Sequence, residues 1–126
     1  MAIAVLAILM GGVIYGYVAS AQRAEWSAHA LAAQSLAGQW VEQARAARWD
    51  PQACPAIDEL PPTNYVRVDA LDVAASGRVQ YATNFISVET VSTNPPLREL
   101  RADCVWTFFK GGRFTNSVIT LRAPDQ

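Results

Sequence analysis

Charge is absent from the first 21 residues, Met1 to Ala21, and histidine is absent everywhere except position 29. A charge-free run of that length is too apolar for a wetted surface and is expected in lipid or in a core. A single histidine leaves no route to a Ser–His–Asp arrangement except through His29, which is expected to be a solvated helix residue. Lysine occurs once, at Lys110, and the nine arginines are scattered along a chain of net charge −1. No basic patch forms, so nothing favours a phosphate backbone and no nucleic-acid partner is expected. Proline is absent before Pro51, so nothing in the first fifty residues forbids helix.

Cysteine is scarce as well. Cys54 and Cys104 are the only two, too few for a zinc site without further ligands. They can pair in an oxidising compartment or remain buried free thiols, and spacing does not decide between these. No glycine-rich phosphate loop is present: Gly11-Gly12 lies inside the apolar run and Gly111-Gly112 reads as a hairpin turn. Asp69 and Asp72 lack the additional oxygen ligands that Ca²⁺ requires. No catalytic residue, cofactor, metal ligand or small-molecule substrate is expected, and the chain does not read as an enzyme.

What is present is a helical pattern that outlasts its apolar start. Ile3, Leu6 and Leu9 belong to a uniformly apolar stretch, and Tyr15 and Tyr17 follow where a membrane–water interface is expected. About 20 apolar residues cross about 30 Å of hydrocarbon, and residues 1–21 meet that length. Gly12 and Gly16 form a small-xxx-small pair that lets helices approach closely in lipid. Ala19-Ser20-Ala21 also has the form of a signal-peptide cleavage site. No basic residue precedes the run, however, and the helical periodicity continues beyond that point. A buried core helix is disfavoured, since the 105 residues beyond the run could hardly wrap a helix apolar on all sides.

Beyond Arg23 the helix is expected to become amphipathic. Trp26, Ala30, Ala33, Ala37, Trp40, Val41 and Ala44 step by threes and fours, with Leu31 and Leu36 widening the stripe. Asp50-Pro51 is expected to end it after Trp49, giving one rod of about 49 residues and roughly 75 Å. Residues 51–63 read as loop.

Four strands follow. The first covers Asn64 to Val73, with Val66, Val68 and Ala70 on one side and Tyr65, Arg67 and Asp69 on the other. A turn is expected at Ser76-Gly77. Tyr81 to Val91 forms the second strand, with Ile86 and Val88 inward, and Asn94-Pro95-Pro96 ends it. Leu100 to Phe109 and Phe114 to Leu121 complete the set. A two-residue turn at Gly111-Gly112 pairs Phe109 with Phe114, Val105 with Val118 and Cys104 with Ile119. Ala102, Cys104, Trp106, Phe108, Ile119 and Leu121 would then face the helix. The fold class is α+β: a long N-terminal helix packed on a small antiparallel sheet of about four strands. Its parts are a transmembrane half (1–21), an amphipathic half (22–50) and a sheet domain (51–126).

The run Ile3-Ala-Val-Leu-Ala-Ile-Leu-Met-Gly-Gly-Val-Ile14, leading into a long helix, resembles the N-terminal region of type IV pilins and type II secretion pseudopilins. Ala47-Arg-Trp-Asp-Pro51 is similar to helix ends in minor members of that family. Val105-Trp-Thr-Phe-Phe-Lys-Gly-Gly-Arg-Phe114 and Val118-Ile-Thr-Leu-Arg-Ala-Pro124 resemble their last hairpin. The family's Gly-Phe-Thr-Leu-x-Glu processing segment is absent from this sequence, as is any acid in its apolar run. The resemblance implies a minor pilin or pseudopilin, a structural subunit of a filament assembled from the inner membrane. It implies other pilin-like subunits and membrane lipid as partners, engaged through Ile3, Leu6, Leu9, Gly12, Gly16 and Tyr17. It also implies a periplasmic sheet domain, against the flanking-charge rule, which read literally from Arg23 puts that domain in the cytoplasm. The alternative is a single-pass, membrane-anchored periplasmic binding module.

Overall fold

The computed structural model describes residues 2–73, 79–108 and 111–125. One helix, α1 (Ala2–Ala46), is followed by six strands: β1 (Trp49–Asp50), β2 (Ile57–Asp58), β3 (Thr63–Leu71), β4 (Gln80–Thr93), β5 (Pro96–Phe108) and β6 (Gly112–Arg122). The 45 residues of α1 make a rod about 68 Å long. Its N-terminal half projects free of the sheet, and contact with the β-domain begins near Trp26.

The expected α+β architecture is present: β3, β4, β5 and β6 form an antiparallel sheet in that order, with α1 lying chiefly over β5 and β6. Ala33, Ala37, Val41 and Ala44 are buried along the predicted stripe. Alanine at these positions lets the helix backbone approach the sheet closely. Facing them are Ala82, Ile86, Ala102, Cys104 and Trp106, with Val88 and Leu100 beneath the helix end. Leu36 packs at the flank of this core, but Leu31 is 71% exposed. It does not widen the stripe, because it points away from the sheet.

Several local expectations are corrected. The helix stops at Ala46 rather than Trp49. Trp49 is drawn instead into a second small core with Ala44, Leu60, Val88 and Leu100, and β1, at the expected helix end, pairs with β2, which lies inside the segment read as loop. The guanidinium of Arg122 donates to the carbonyls of Ala44 and Ala47, satisfying the helix end and placing a cation at its negative pole. Asp125 locks the same corner by accepting from the Trp49 backbone N–H at 2.9 Å. On β3 the alternation holds, and the polar side faces the helix. Trp40 donates to Asp69 at 3.1 Å and stacks edge-on with Tyr65, while Arg67 lies 5.9 Å from the Trp40 ring. Val66 and Val68 point outward. The turn expected at Ser76-Gly77 lies outside the described residues, as does Phe109.

The largest correction is the register of β5 and β6. Trp106 pairs with Phe114, Cys104 with Asn116, Val105 with Thr115 and Ala102 with Val118. Three residues therefore connect Phe108 and Gly112, and Gly111 has φ +79°, a conformation glycine adopts freely. Changing the pairing sum by an odd number turns the strand over. Phe114 and Val118 consequently pack toward α1, whereas Ile119 and Leu121 are exposed on the open face. The inward set is favoured because the Phe114 ring stacks on Trp106 at 5.0 Å and lies 5.8 Å from Trp26. Val118→Asp is accordingly expected to destabilise the protein by about 2 kcal/mol. Ile119→Asp should change stability by no more than about 0.5 kcal/mol. Urea unfolding of both full-length variants in detergent measures the difference.

Candidate functional site

The assembly residues named from the sequence share the projecting half of α1. Ile3 is 84% exposed, and Leu6, Leu9 and Tyr17 are exposed with it. Gly12 and Gly16 have open space where a Cβ would lie, so a second backbone has room to approach there. From Ile3 to Tyr17 no residue packs against the described residues of the β-domain, so this surface is open to lipid or to other helices. By length and composition, α1 is a helix able to cross a membrane.

At the foot of the β-domain an aromatic cluster anchors the rod. Trp26, Trp106, Phe108, Phe114 and His29 meet there. The Trp106 indole lies 5.8 Å from the His29 ring and almost parallel to it, at 19°. His29 is 5% exposed, which overturns its reading as a solvated residue. Its Nδ1 donates to the Glu25 carbonyl at 2.8 Å and its Nε2 faces Gln80 Oε1 at 3.0 Å. Gln80 in turn donates to the Thr107 carbonyl. His29 lies one residue before Ala30 and three after Trp26, directly beside the apolar stripe, and that position was the available signal for its burial. Trp106 Nε1 donates to Asn116 at 2.8 Å, so the largest buried side chain has its polar atom satisfied.

A second polar anchor, invisible in the sequence, closes the far end of the sheet. Arg98 is almost fully buried and its guanidinium lies 4.1 Å from the Trp49 ring centre. It donates to both carboxylate oxygens of Asp58, at 2.6 and 2.8 Å, and to the Leu60 carbonyl. The Arg98 hydrogen bond holds the Asp58 carboxyl below the ordinary aspartate range, with partial burial opposing it. Nothing in the spacing of Asp58 and Arg98 announces this pair, because the β1–β2 ladder creates it.

Cys54 and Cys104 are not joined: Cys54 is an exposed free thiol and Cys104 a buried one beneath α1. Burial pushes the Cys104 thiol up to about 11, and Asp69 adds to the effect. Among the described residues no group of three or more His, Cys, Asp or Glu is arranged to hold a metal ion. No family model matches the chain, and no curated protein or solved structure matches it.

These geometries set two measurable outcomes. At neutral pH a maleimide should label one thiol per chain rapidly, at Cys54, and the second only after unfolding, as read by intact mass. A depressed aspartate contributes stability above its unfolded value and loses it as pH falls through the folded one. The Asp58–Arg98 contribution is therefore lost below pH 3.8, the ordinary aspartate value. Asp58→Asn should flatten that part of the acid-unfolding curve.

Proposed function

We propose that this chain is a pilin-like structural subunit, a minor pilin or minor pseudopilin, of a filament assembled from the inner membrane. The observation that carries the reading is the unbroken helix: α1 passes from its apolar half into the β-domain with no joint, no proline and no linker. A tethered binding module has no need of such a rod, because a flexible connection serves a tether equally well. A subunit that transmits force along its helix does need it. In this reading Ile3 to Tyr17 hold the subunit in the membrane, with the β-domain in the periplasm. An assembly machine lifts the subunit, and its apolar half passes from lipid into a bundle of like helices without meeting water. Gly12 and Gly16 give neighbouring helices room to close.

The alternative, an anchored binding module, draws support from a cavity of about 460 Å³ at the far end of the sheet, lined in part by Trp49, Ile57, Thr93 and Arg98. Its strongest polar group is already committed, since Arg98 is bound to Asp58 and the Leu60 carbonyl. Its aromatic face is covered by that same guanidinium. Little is left to orient a ligand, so the filament reading is preferred.

The test is expression of the full chain in cells with an active pilus or type II secretion assembly system. The intact chain is expected both in inner membranes and in sheared filaments. Gly12→Leu with Gly16→Leu should remain in the membrane and fall at least about tenfold in the filament fraction, the loss expected from about 1.4 kcal/mol of helix association. Mass spectrometry showing removal of the residues before Gln22, or a chain never recovered outside the membrane, would defeat the reading.

A further inference from the structure

Two exposed surfaces of this molecule complement each other, and a shared membrane sets them at the same height. The first is the face of α1 turned away from the sheet, where Leu31 stands exposed and Glu42 pairs with Arg45 at 2.9 Å. The second is the open face of the sheet, which no element of the described residues covers. There Val66 and Phe85 lie directly opposite each other, with exposed Val68 and Tyr81 beside them. Farther from the N-terminal half, Glu89 and Glu99 are directly paired across β4 and β5. Like charges in direct opposition destabilise a sheet; the one neighbouring cation on this face among the described residues, Arg101, is bonded to Asp103 at 2.8 Å and only partly offsets the two carboxylates, so the pair is suited to an outside cation.

The levels agree. Ala44 packs with Val88 and Leu100, the residues next to Glu89 and Glu99, so Arg45 of an adjacent copy at equal depth stands at the acidic pair. Leu31 lies 14 residues before Arg45, about 21 Å along a helix. Thr83, between the outward Tyr81 and Phe85, lies six residues before Glu89, about 20 Å along a strand. Both the apolar contact and the charge contact are met with no vertical shift between copies.

We infer that, while standing in the membrane, copies of this chain associate side by side, the outer face of one α1 against the open sheet face of the next. The contact is head-to-tail, so each copy offers one of each surface and rows can grow. Edge-to-edge antiparallel pairing of β3 with itself is excluded, because its two-fold axis would point the two membrane rods in opposite directions. This inference rests on α1 as a membrane span and leaves open whether the rows later become a filament.

Disulfide cross-linking of the full chain in membranes tests it. In a Cys54→Ser background, Leu31→Cys combined with Val68→Cys should give a ladder of dimers, trimers and larger species on oxidation. Each single variant should give monomer. Glu89→Arg with Glu99→Arg should lower the yield about fivefold, the effect of losing roughly 1 kcal/mol of exposed ion pairing. Adding Arg45→Glu should recover most of it. Dimers from Leu31→Cys alone would show helix-to-helix packing instead and overturn the contact. Monomer from the double variant would overturn it too. A cross-linked ladder together with no filament recovery would separate this contact from the filament reading.

Discussion

The structure depends on a single seam, the line of Ala33, Ala37, Val41 and Ala44 pressed on the inner faces of β5 and β6. A long helix that is apolar at one end and alanine-rich at the other has little reason to stay fixed to a small domain. Alanine brings the helix backbone close to the sheet, and the larger side chains then come from the sheet itself. Trp106, Leu100, Ile86 and Val88 fill the space that small helix residues leave. Because cores are close-packed, this division of volume fixes the axial position of the rod as well as its distance.

Both ends of the seam are closed by polar groups with fixed geometry. Near the projecting half, His29 and Trp26 of the helix interlock with Trp106, Phe108 and Phe114. At the other end, Arg122 takes the last helix carbonyls, Asp125 takes the Trp49 amide, and Arg98 ties β5 to Asp58. The β-domain is thus clamped along the last half of the helix. A force applied along the rod would be shared among these contacts rather than carried by a linker, and this mechanical property is what a filament subunit requires.

The open face of the sheet follows from the same economy. The chain after Pro51 builds one four-stranded layer besides β2, and among the described residues one helix covers one side of it. The other side keeps Val66, Val68, Tyr81 and Phe85 in water. Exposed β-branched and aromatic residues gathered at one corner of a sheet are suited to a partner surface.

The sequence by itself determined the long helix and the four main strands, though not the β1–β2 ladder. A charge-free start, an alanine-rich stripe at helical spacing and a first proline at 51 require one long helix. Alternating strands and glycine at 111 require hairpins, and Ile86, Val88 and Trp106 are buried as their spacing implied. These features are local, and local periodicity records them. Only the tertiary structure decided what depends on contacts between distant residues. The register of β6 turned on whether Phe114 could stack on Trp106. The helix ended at Ala46 because Trp49 had a core to enter and Arg122 a pole to cap. His29 was buried because the β-domain supplied Gln80 and an indole to receive it. No single segment contains that information, since each choice is made by the surface that folds against it.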